Sequence, residues 1–119
     1  MIKFALAISF VAYSFSPNVA LSDMSISAYQ NNIRSSSKQA MTYFYLEAVG
    51  TGITWTNSIS ASRLGFSLFC SPKKFRLKGE VAASVLNQHL SSPQGQQLKR
   101  KDSVSLGLLT ALMYRFPCR

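Results

Sequence analysis

The sequence predicts an all-α domain, a small bundle of about four helices closed by one disulfide. Four segments place apolar residues three and four positions apart, which is the spacing of one helix face. Clusters of Gly, Pro and Ser separate these segments and end one helix before the next begins. The chain has 119 residues, of which 47% are hydrophobic, so it carries one core and has no room for a second.

The first stretch, residues 1–20, has the pattern of a secretory signal peptide. Lys3 supplies the positive start, and an apolar run follows over residues 4–15. Ala20 and Ser22 are both small residues that suit cleavage. A membrane anchor is the alternative, but the run is shorter than the roughly 20 apolar residues that span a bilayer. We therefore expect an exported protein with no stable membrane insertion after cleavage.

Export gives the two cysteines a structural meaning. An oxidising compartment favours a disulfide between Cys70 and Cys118, which joins the middle of the chain to its end. Closing a loop of that length stabilises a domain by roughly 4 kcal/mol in the chain-entropy model. The alternative is a pair of free thiols for catalysis or metal binding. Neither cysteine lies in a C-x-x-C motif, and His89 is the only histidine that could act as a base.

The first predicted helix, 25–36, is short and has a single apolar stripe. Ile26, Tyr29 and Ile33 are spaced three and four residues apart. Ser25 or the aspartate before it can cap the start of the helix. A run of serines then interrupts the pattern.

The second predicted helix, 38–63, is long and apolar on most sides. At 100° per residue one face collects the residues that we expect in the core: Met41, Phe44, Tyr45, Ala48, Gly52, Trp55 and Ile59. Further apolar residues widen this stripe: Leu46, Val49 and Ile53. Gly50 and Gly52 each cost a helix about 1 kcal/mol relative to alanine. We therefore expect a close backbone approach or a bend there, while strands within this segment are the alternative.

Two more helices are predicted after Gly65 and an apolar loop over 64–78. Residues 79–91 form an amphipathic helix whose core side carries Val81, Ala82, Val85, Leu86, His89 and Leu90. Asp102 or Ser103 caps a last helix over 103–115, whose core stripe is Val104, Leu108, Leu109, Leu112 and Phe116. Pro117 forbids continuation of this helix and presents Cys118 just beyond its end.

The composition argues against an enzyme. One histidine, two cysteines and four acidic residues cannot form a usual zinc site without carboxylate ligands, and we expect no metal, cofactor or catalytic residue. His89 is expected to be a packed or surface histidine. Glu47 can pair with a nearby base, and burial with a raised pKa is the alternative. The candidate bases are Arg34, Lys38 and Arg63.

The strong positive charge points to a partner surface. Thirteen Lys and Arg against four Asp and Glu give a net charge of +9. Two basic clusters lie in predicted loops, one over 73–78 and one over 99–101, so they can converge on one side. An acidic protein partner, anionic lipid headgroups and simple solvation are the alternatives, whereas export argues against nucleic acid. The candidate partner-binding residues are Phe66, Lys73, Lys74, Arg76, Lys99 and Arg100.

Three motifs together resemble those of a known protein family. An aromatic helix with Gly and Trp spans residues 43–57, and two short motifs follow it: Phe69-Cys70-Ser71-Pro72 and Phe116-Pro117-Cys118. With the amphipathic helix between them, they resemble the Tai/Rap family of type VI secretion amidase immunity proteins. The likeness covers residues 40–118, which is most of the mature domain, 21–119. The motifs are moderately specific, and none of them is a catalytic signature.

The resemblance implies a periplasmic protein that binds and occludes a peptidoglycan-cleaving amidase delivered by another cell. The partner would be a cognate secreted amidase effector, and a homodimer is compatible with the family. Inhibitory loops vary between members, so the resemblance assigns only Cys70 and Cys118. The alternative function is a small periplasmic stress protein or chaperone, although few titratable groups are present for an acid switch. A membrane-active cationic peptide ranks last, because the charges lie in loops and not along one helix face.

Overall fold

The computed structural model describes residues 23–119 and confirms the all-α prediction. Four α-helices follow one another: α1 (Ile26–Arg34), α2 (Gln39–Ile59), α3 (Gly79–Leu90) and α4 (Val104–Arg115). A π-helical turn, Ser60–Leu64, extends α2, and a 3₁₀ turn, Gly95–Gln97, precedes α4. None of the described helices is long and apolar enough to cross a membrane. The predicted signal peptide, 1–20, lies outside the described residues.

Of the two candidates predicted for each of the α1 and α4 caps, the structure uses the serine. Ser25 Oγ accepts the N–H of Ala28 at 3.1 Å, and Ser103 Oγ accepts the N–H of Leu106 at 3.1 Å. Each bond satisfies one of the backbone donors that the first turn of a helix leaves open. Ser25 and Ser103 also form a single antiparallel bridge. α1 and α4 therefore begin at the same end of the bundle.

The end of the second helix follows the prediction at Gly65. This residue has a φ of 77°, the left-handed conformation that glycine adopts without a steric penalty. The regular α-helix stops earlier, at Ile59, and the π-helical turn covers the remaining residues up to Leu64. The loop that carries the first cysteine starts directly after Gly65.

α3 lies against both α2 and α4 and completes the core. Gly79, at the start of α3, packs so closely on α2 that a Cβ atom would collide with the carbonyl group of Tyr43. Apolar residues of all four helices and of the loop fill the interior: Ile26, Tyr29, Leu46, Phe69, Ala82, Ala83, Val85, Leu86, Val104, Leu108, Ala111 and Leu112. The predicted core sides of α1, α3 and α4 supply most of this set.

The covered face of α2 is not the predicted one. The structure buries Thr42, Leu46 and Gly50, on the opposite side of the helix. The residues predicted to widen the stripe do face the core, since Leu46 is buried and Val49 and Ile53 pack against the core. Most members of the predicted core face are instead exposed: Met41, Phe44, Ala48, Gly52, Trp55 and Ile59. Because α2 is apolar around most of its circumference, its periodicity cannot decide which face its neighbours cover. We call these six exposed residues the open face of α2.

The two glycines of α2 also differ from each other. At Gly50 a Cβ atom would lie 2.7 Å from Cδ2 of Leu77, so the close approach there is made by a side chain and not by the predicted backbone. Gly52 belongs to the open face, where an added Cβ atom would meet nothing within 4 Å. Of the two alternatives predicted for Gly52, the close backbone approach is therefore wrong.

Candidate protein-binding surface

The loop between α2 and α3 is held to the end of α2 by side chains of that helix. Asn57 Nδ2 donates to the carbonyl oxygen of Phe69 at 2.9 Å, and Asn57 Oδ1 accepts the N–H of Leu68 at 2.7 Å. Ser60 Oγ donates to the carbonyl oxygen of Phe66 at 2.9 Å. These bonds satisfy backbone groups that a loop would otherwise leave to water, and they fix the path of residues 66–69.

The disulfide joins this loop to the end of α4, as the sequence predicts. Cys70 and Cys118 are bonded, with Cα atoms 5.0 Å apart. The N–H of Cys70 donates to the carbonyl oxygen of Phe116 at 2.8 Å. The rings of Phe75 and Phe116 meet edge to face with centroids 4.7 Å apart. The two short motifs of the sequence are therefore one structural unit around the disulfide.

The apolar side chains of the loop divide between core and surface. Phe69 is buried, with 4% of its surface exposed, and Leu68 is half-buried against the core. Phe66 is 54% exposed. Of Phe66, Leu68 and Phe69, only Phe66 is exposed enough to contact a partner without rearrangement.

The predicted basic residues occupy opposite ends of α4. Lys73, Lys74 and Arg76 are exposed in the segment that packs on Phe116, just after α4 ends. The second cluster precedes the start of α4, where the Arg100 carbonyl oxygen accepts the N–H of Ser27 at 2.9 Å. A helix of 12 residues is about 18 Å long. The two clusters therefore do not converge, because each loop is anchored to a different end of the same helix.

Lys99 and Arg100 are nevertheless exposed in their own loop. The N–H of Lys99 donates to Oδ2 of Asp102 at 2.7 Å, and Arg100 Nη2 donates to Ser27 Oγ at 3.2 Å. Asp102 thus closes a turn through the backbone of Lys99. The ammonium group of Lys99 makes no hydrogen bond to another described residue. This cluster forms a basic surface separate from the one near the disulfide.

A groove that the sequence did not predict lies between α2 and the segment leading into α3. It has a volume of about 320 Å³, and its walls include Trp55, Phe75, Arg76, Leu77 and Lys78. Trp55 is 66% exposed. The available signal was the surplus of apolar residues around α2, of which one helix face cannot bury all. We call this feature the Trp55 groove.

Glu47 lies in the same groove and has a structural partner. Its Oε2 accepts the N–H of Gly79 at 3.2 Å, which places a carboxylate at the N-terminus of α3. Lys78 precedes α3 without capping it by a side-chain hydrogen bond. A negative group at this end of a helix is favourable because the first-turn N–H groups are partly positive. The predicted pairing of Glu47 with Arg34, Lys38 or Arg63 is replaced by this contact.

His89 is buried, as the packed-histidine interpretation expects. Its ring lies 5.4 Å from the ring of Tyr114, centroid to centroid, with the planes tilted by 30°. Burial lowers the pKa of His89 from its usual value of 6.5, because the charged form loses its hydration. Between residues 23 and 119, no three His, Cys, Asp or Glu side chains are grouped closely enough to hold a metal ion.

Tyr29 and Tyr45 tie α1 and the residues before it to the rest of the bundle. The Tyr29 hydroxyl donates to Oδ1 of Asn87 at 2.7 Å, and burial is the main cause that raises the pKa of Tyr29 to about 12. The Tyr45 hydroxyl accepts the N–H of Met24 at 2.9 Å and donates to Asp23. Burial raises the pKa of Tyr45 as well. Both phenols act as structural hydrogen-bonding groups.

Comparison with known proteins adds no assignment to these observations. No protein-family model, no curated protein and no solved structure matches this chain. The resemblance to the Tai/Rap immunity proteins therefore rests on the motifs alone and stays a prediction.

Proposed function

We propose that this protein is a non-catalytic, immunity-type inhibitor that binds and occludes a peptidoglycan-cleaving amidase of a type VI secretion system. The observation that supports the proposal best is the composition of the surface beside the disulfide. Exposed Phe66, Trp55 and Arg76 stand on or beside a loop that the Cys70–Cys118 bond holds to α4. Aromatic and arginine side chains on a rigid support are the residues that dominate protein interfaces.

Occlusion needs a complementary surface and no reacting group. Both cysteines are bonded to each other, and the ring of His89 packs on Tyr114. The carboxylates of Glu47 and Asp102 accept backbone N–H groups. These side chains therefore already serve the fold, and inhibition by one bound molecule per enzyme molecule is the mode that they support.

The proposed site of action is the periplasm, reached by export through the predicted signal peptide. A disulfide is compatible with export because oxidising compartments preserve it. Mass spectrometry of the cell-fractionated protein tests this step. We expect a periplasmic species that begins at residue 21 or 23, whereas an intact chain starting at Met1 in the inner membrane would contradict it.

A titration tests the inhibitor function. Each secreted peptidoglycan amidase encoded beside this gene is purified, and peptidoglycan cleavage is measured while the mature, oxidised protein is added. We expect activity to fall linearly to an end point at one inhibitor per enzyme, with bovine serum albumin at the same concentration having no effect. Full activity of every such amidase at tenfold molar excess of the protein would overturn the proposal.

A second candidate, a small periplasmic chaperone, is favoured by the open face of α2. Phe44 is 71% exposed and Met41 is 70% exposed, and such side chains can bind unfolded clients. Suppression of the aggregation of chemically unfolded citrate synthase on dilution, in buffer without reductant so that the Cys70–Cys118 bond stays intact, distinguishes the two functions when followed by light scattering. A chaperone suppresses aggregation without affecting the amidases. An inhibitor blocks an amidase without suppressing aggregation.

A further inference from the structure

A second depression lies next to the Trp55 groove along α2. This depression of about 420 Å³ is lined by Tyr43, Phe44 and Val81, and it shares Glu47 and Lys78 with the groove. The two depressions share these lining residues and therefore adjoin each other between α2 and the segment that enters α3; we call the pair the channel. Two adjoining depressions along a helix can receive neighbouring side chains of one chain segment.

The unpaired charge in the Trp55 groove is positive. Arg76 and Lys78 line it, and the only carboxylate in its lining is Glu47, whose Oε2 already accepts the N–H of Gly79. Arg76 Nη1 donates to the carbonyl oxygens of Lys73 and Phe75, both at 3.3 Å, so its guanidinium group is held beside the groove. Further along the channel, Glu80 lines the second depression together with Lys78. A carboxylate ligand is therefore favoured at the Trp55 end.

The wall opposite α2 also contains backbone N–H groups that have no acceptor in the described part of the chain. The N–H groups of Arg76, Leu77 and Lys78 donate to no other residue within 23–119. Lys78 has an extended backbone, with φ −69° and ψ 161°. An extended segment laid beside such a wall can accept main-chain hydrogen bonds while its alternate side chains point in opposite directions.

The groove is held in shape before any partner arrives. The disulfide and the contact between Phe75 and Phe116 fix the wall, and Asn57 fixes the loop that leads into it. A preformed site avoids the entropy that a mobile loop would lose on binding. We propose that the Trp55 groove binds an extended, acidic segment of a protein partner, with a carboxylate at Arg76 and Lys78 and an apolar side chain on Trp55.

Under the proposed function this segment belongs to the amidase. The inference rests on that function only for which protein carries the segment. The chemistry of the segment follows from the groove alone. It needs a carboxylate and an apolar residue on neighbouring positions of an extended chain. Acidic peptides of defined sequence can therefore test the groove without any amidase.

Trp55 is the only tryptophan of the chain, so its fluorescence reports on this groove directly. The probe is a blocked hexapeptide of alternating Glu and Leu, and two control peptides replace every Glu by Gln or by Lys. We expect a saturable change in the Trp55 emission with the Glu peptide, weakened by added salt. The Gln and Lys peptides should bind at least five times more weakly.

Variants with matched charge loss locate the binding. Arg76→Gln with Lys78→Gln should weaken the Glu peptide about threefold to tenfold, in line with two partly exposed charge pairs. Lys99→Gln with Arg100→Gln removes the same charge at the other end of α4 and should leave the affinity unchanged. Because Arg76 also contacts loop carbonyl groups, Lys78→Gln alone is measured too, and thermal melts establish that each variant is folded.

Three results would overturn the inference. They are equal binding of the Glu and Lys peptides, equal losses in both double variants, and no saturable change in Trp55 emission.

Stronger binding to phosphatidylglycerol vesicles than to the Glu peptide, if it is lost when Arg76 and Lys78 are replaced, would assign the groove to lipid instead. An amidase that is still inhibited by the Arg76 and Lys78 variant would leave the proposed function standing while the inference fails. Peptide binding without inhibition of any amidase would support the inference while the proposed function fails.

Discussion

The side-chain amide of Asn57 pairs with the backbone of Phe69: its Nδ2 donates to the carbonyl oxygen at 2.9 Å, and its Oδ1 accepts the N–H at 3.4 Å. A side chain of α2 thereby holds the residue that precedes Cys70. The hydrogen bonds of Asn57 thus help to position the buried ring of Phe69 and, next to it, the disulfide. This arrangement supports both the loop and the wall of the Trp55 groove.

Asn57→Ala should lower the free energy of unfolding by about 1–3 kcal/mol, because backbone groups of Leu68 and Phe69 lose their partner. Urea denaturation followed by circular dichroism measures the loss. Asn31→Ala is the control, since Asn31 is an exposed residue of α1, and it should change the stability by less than about 0.5 kcal/mol. Equal effects of the two substitutions would contradict the role of Asn57.

Replacing Cys70 and Cys118 together by Ser should lower the melting temperature strongly. In the chain-entropy model, a loop closed across 48 residues contributes roughly 4 kcal/mol. Differential scanning calorimetry with and without dithiothreitol measures this contribution. The reductant should lower the melting temperature of the wild type and leave the double variant unchanged. A full thiol titre on the unreduced native protein would contradict the bond.

Two glycine substitutions should change the stability in opposite directions. Gly79→Ala places a Cβ atom against the backbone carbonyl of Tyr43, so α3 must shift and stability falls. Gly52→Ala meets nothing within 4 Å and lies inside α2, so it should raise the stability by up to about 1 kcal/mol. Chemical denaturation of both variants tests the packing. A gain at Gly79 or a loss at Gly52 would show that the contacts of α2 differ from those described.

Neutralising the basic clusters one at a time should separate their roles in binding an acidic partner. Lys73→Gln with Lys74→Gln removes charge near the disulfide, and Lys99→Gln with Arg100→Gln removes it at the other end of α4. We expect the first pair to slow association with an inhibited amidase and to flatten its salt dependence. The second pair is the control and should change neither quantity. Unchanged rates for both pairs at low salt would mean that these charges are only solvated.

Stability should fall as the pH drops through the titration of His89. Burial lowers the pKa of His89 below 6.5, so the unfolded chain binds this proton more tightly than the folded chain. The contribution is complete above pH 6.5 and is lost as the pH falls through the lowered pKa. Urea denaturation at pH 7.5 and at pH 5 measures it. His89→Asn removes the only histidine and should reduce the difference between the two pH values. An unchanged difference would show that other groups cause it.

Local patterns in the sequence determined most of the secondary structure. The caps of α1 and α4 were each narrowed to a serine or a nearby aspartate, and Gly65 was predicted as a helix end, because capping and left-handed turns depend on a few adjacent residues. The pairing of Cys70 with Cys118 needed only their number and the inference of export. The core sides of α1, α3 and α4 were predictable because each has a single apolar stripe.

The tertiary structure alone decided which face of α2 is covered and where the charges lie. α2 is apolar on most sides, so the identity of its buried face depends on α1 and α3 packing on the side of Leu46. That choice exposes Trp55 and creates the groove with Arg76. The two basic clusters were separated by the attachment of their loops to opposite ends of α4. Helical periodicity acts over three or four residues, whereas these features arise from contacts between residues far apart in the chain, which no local pattern encodes.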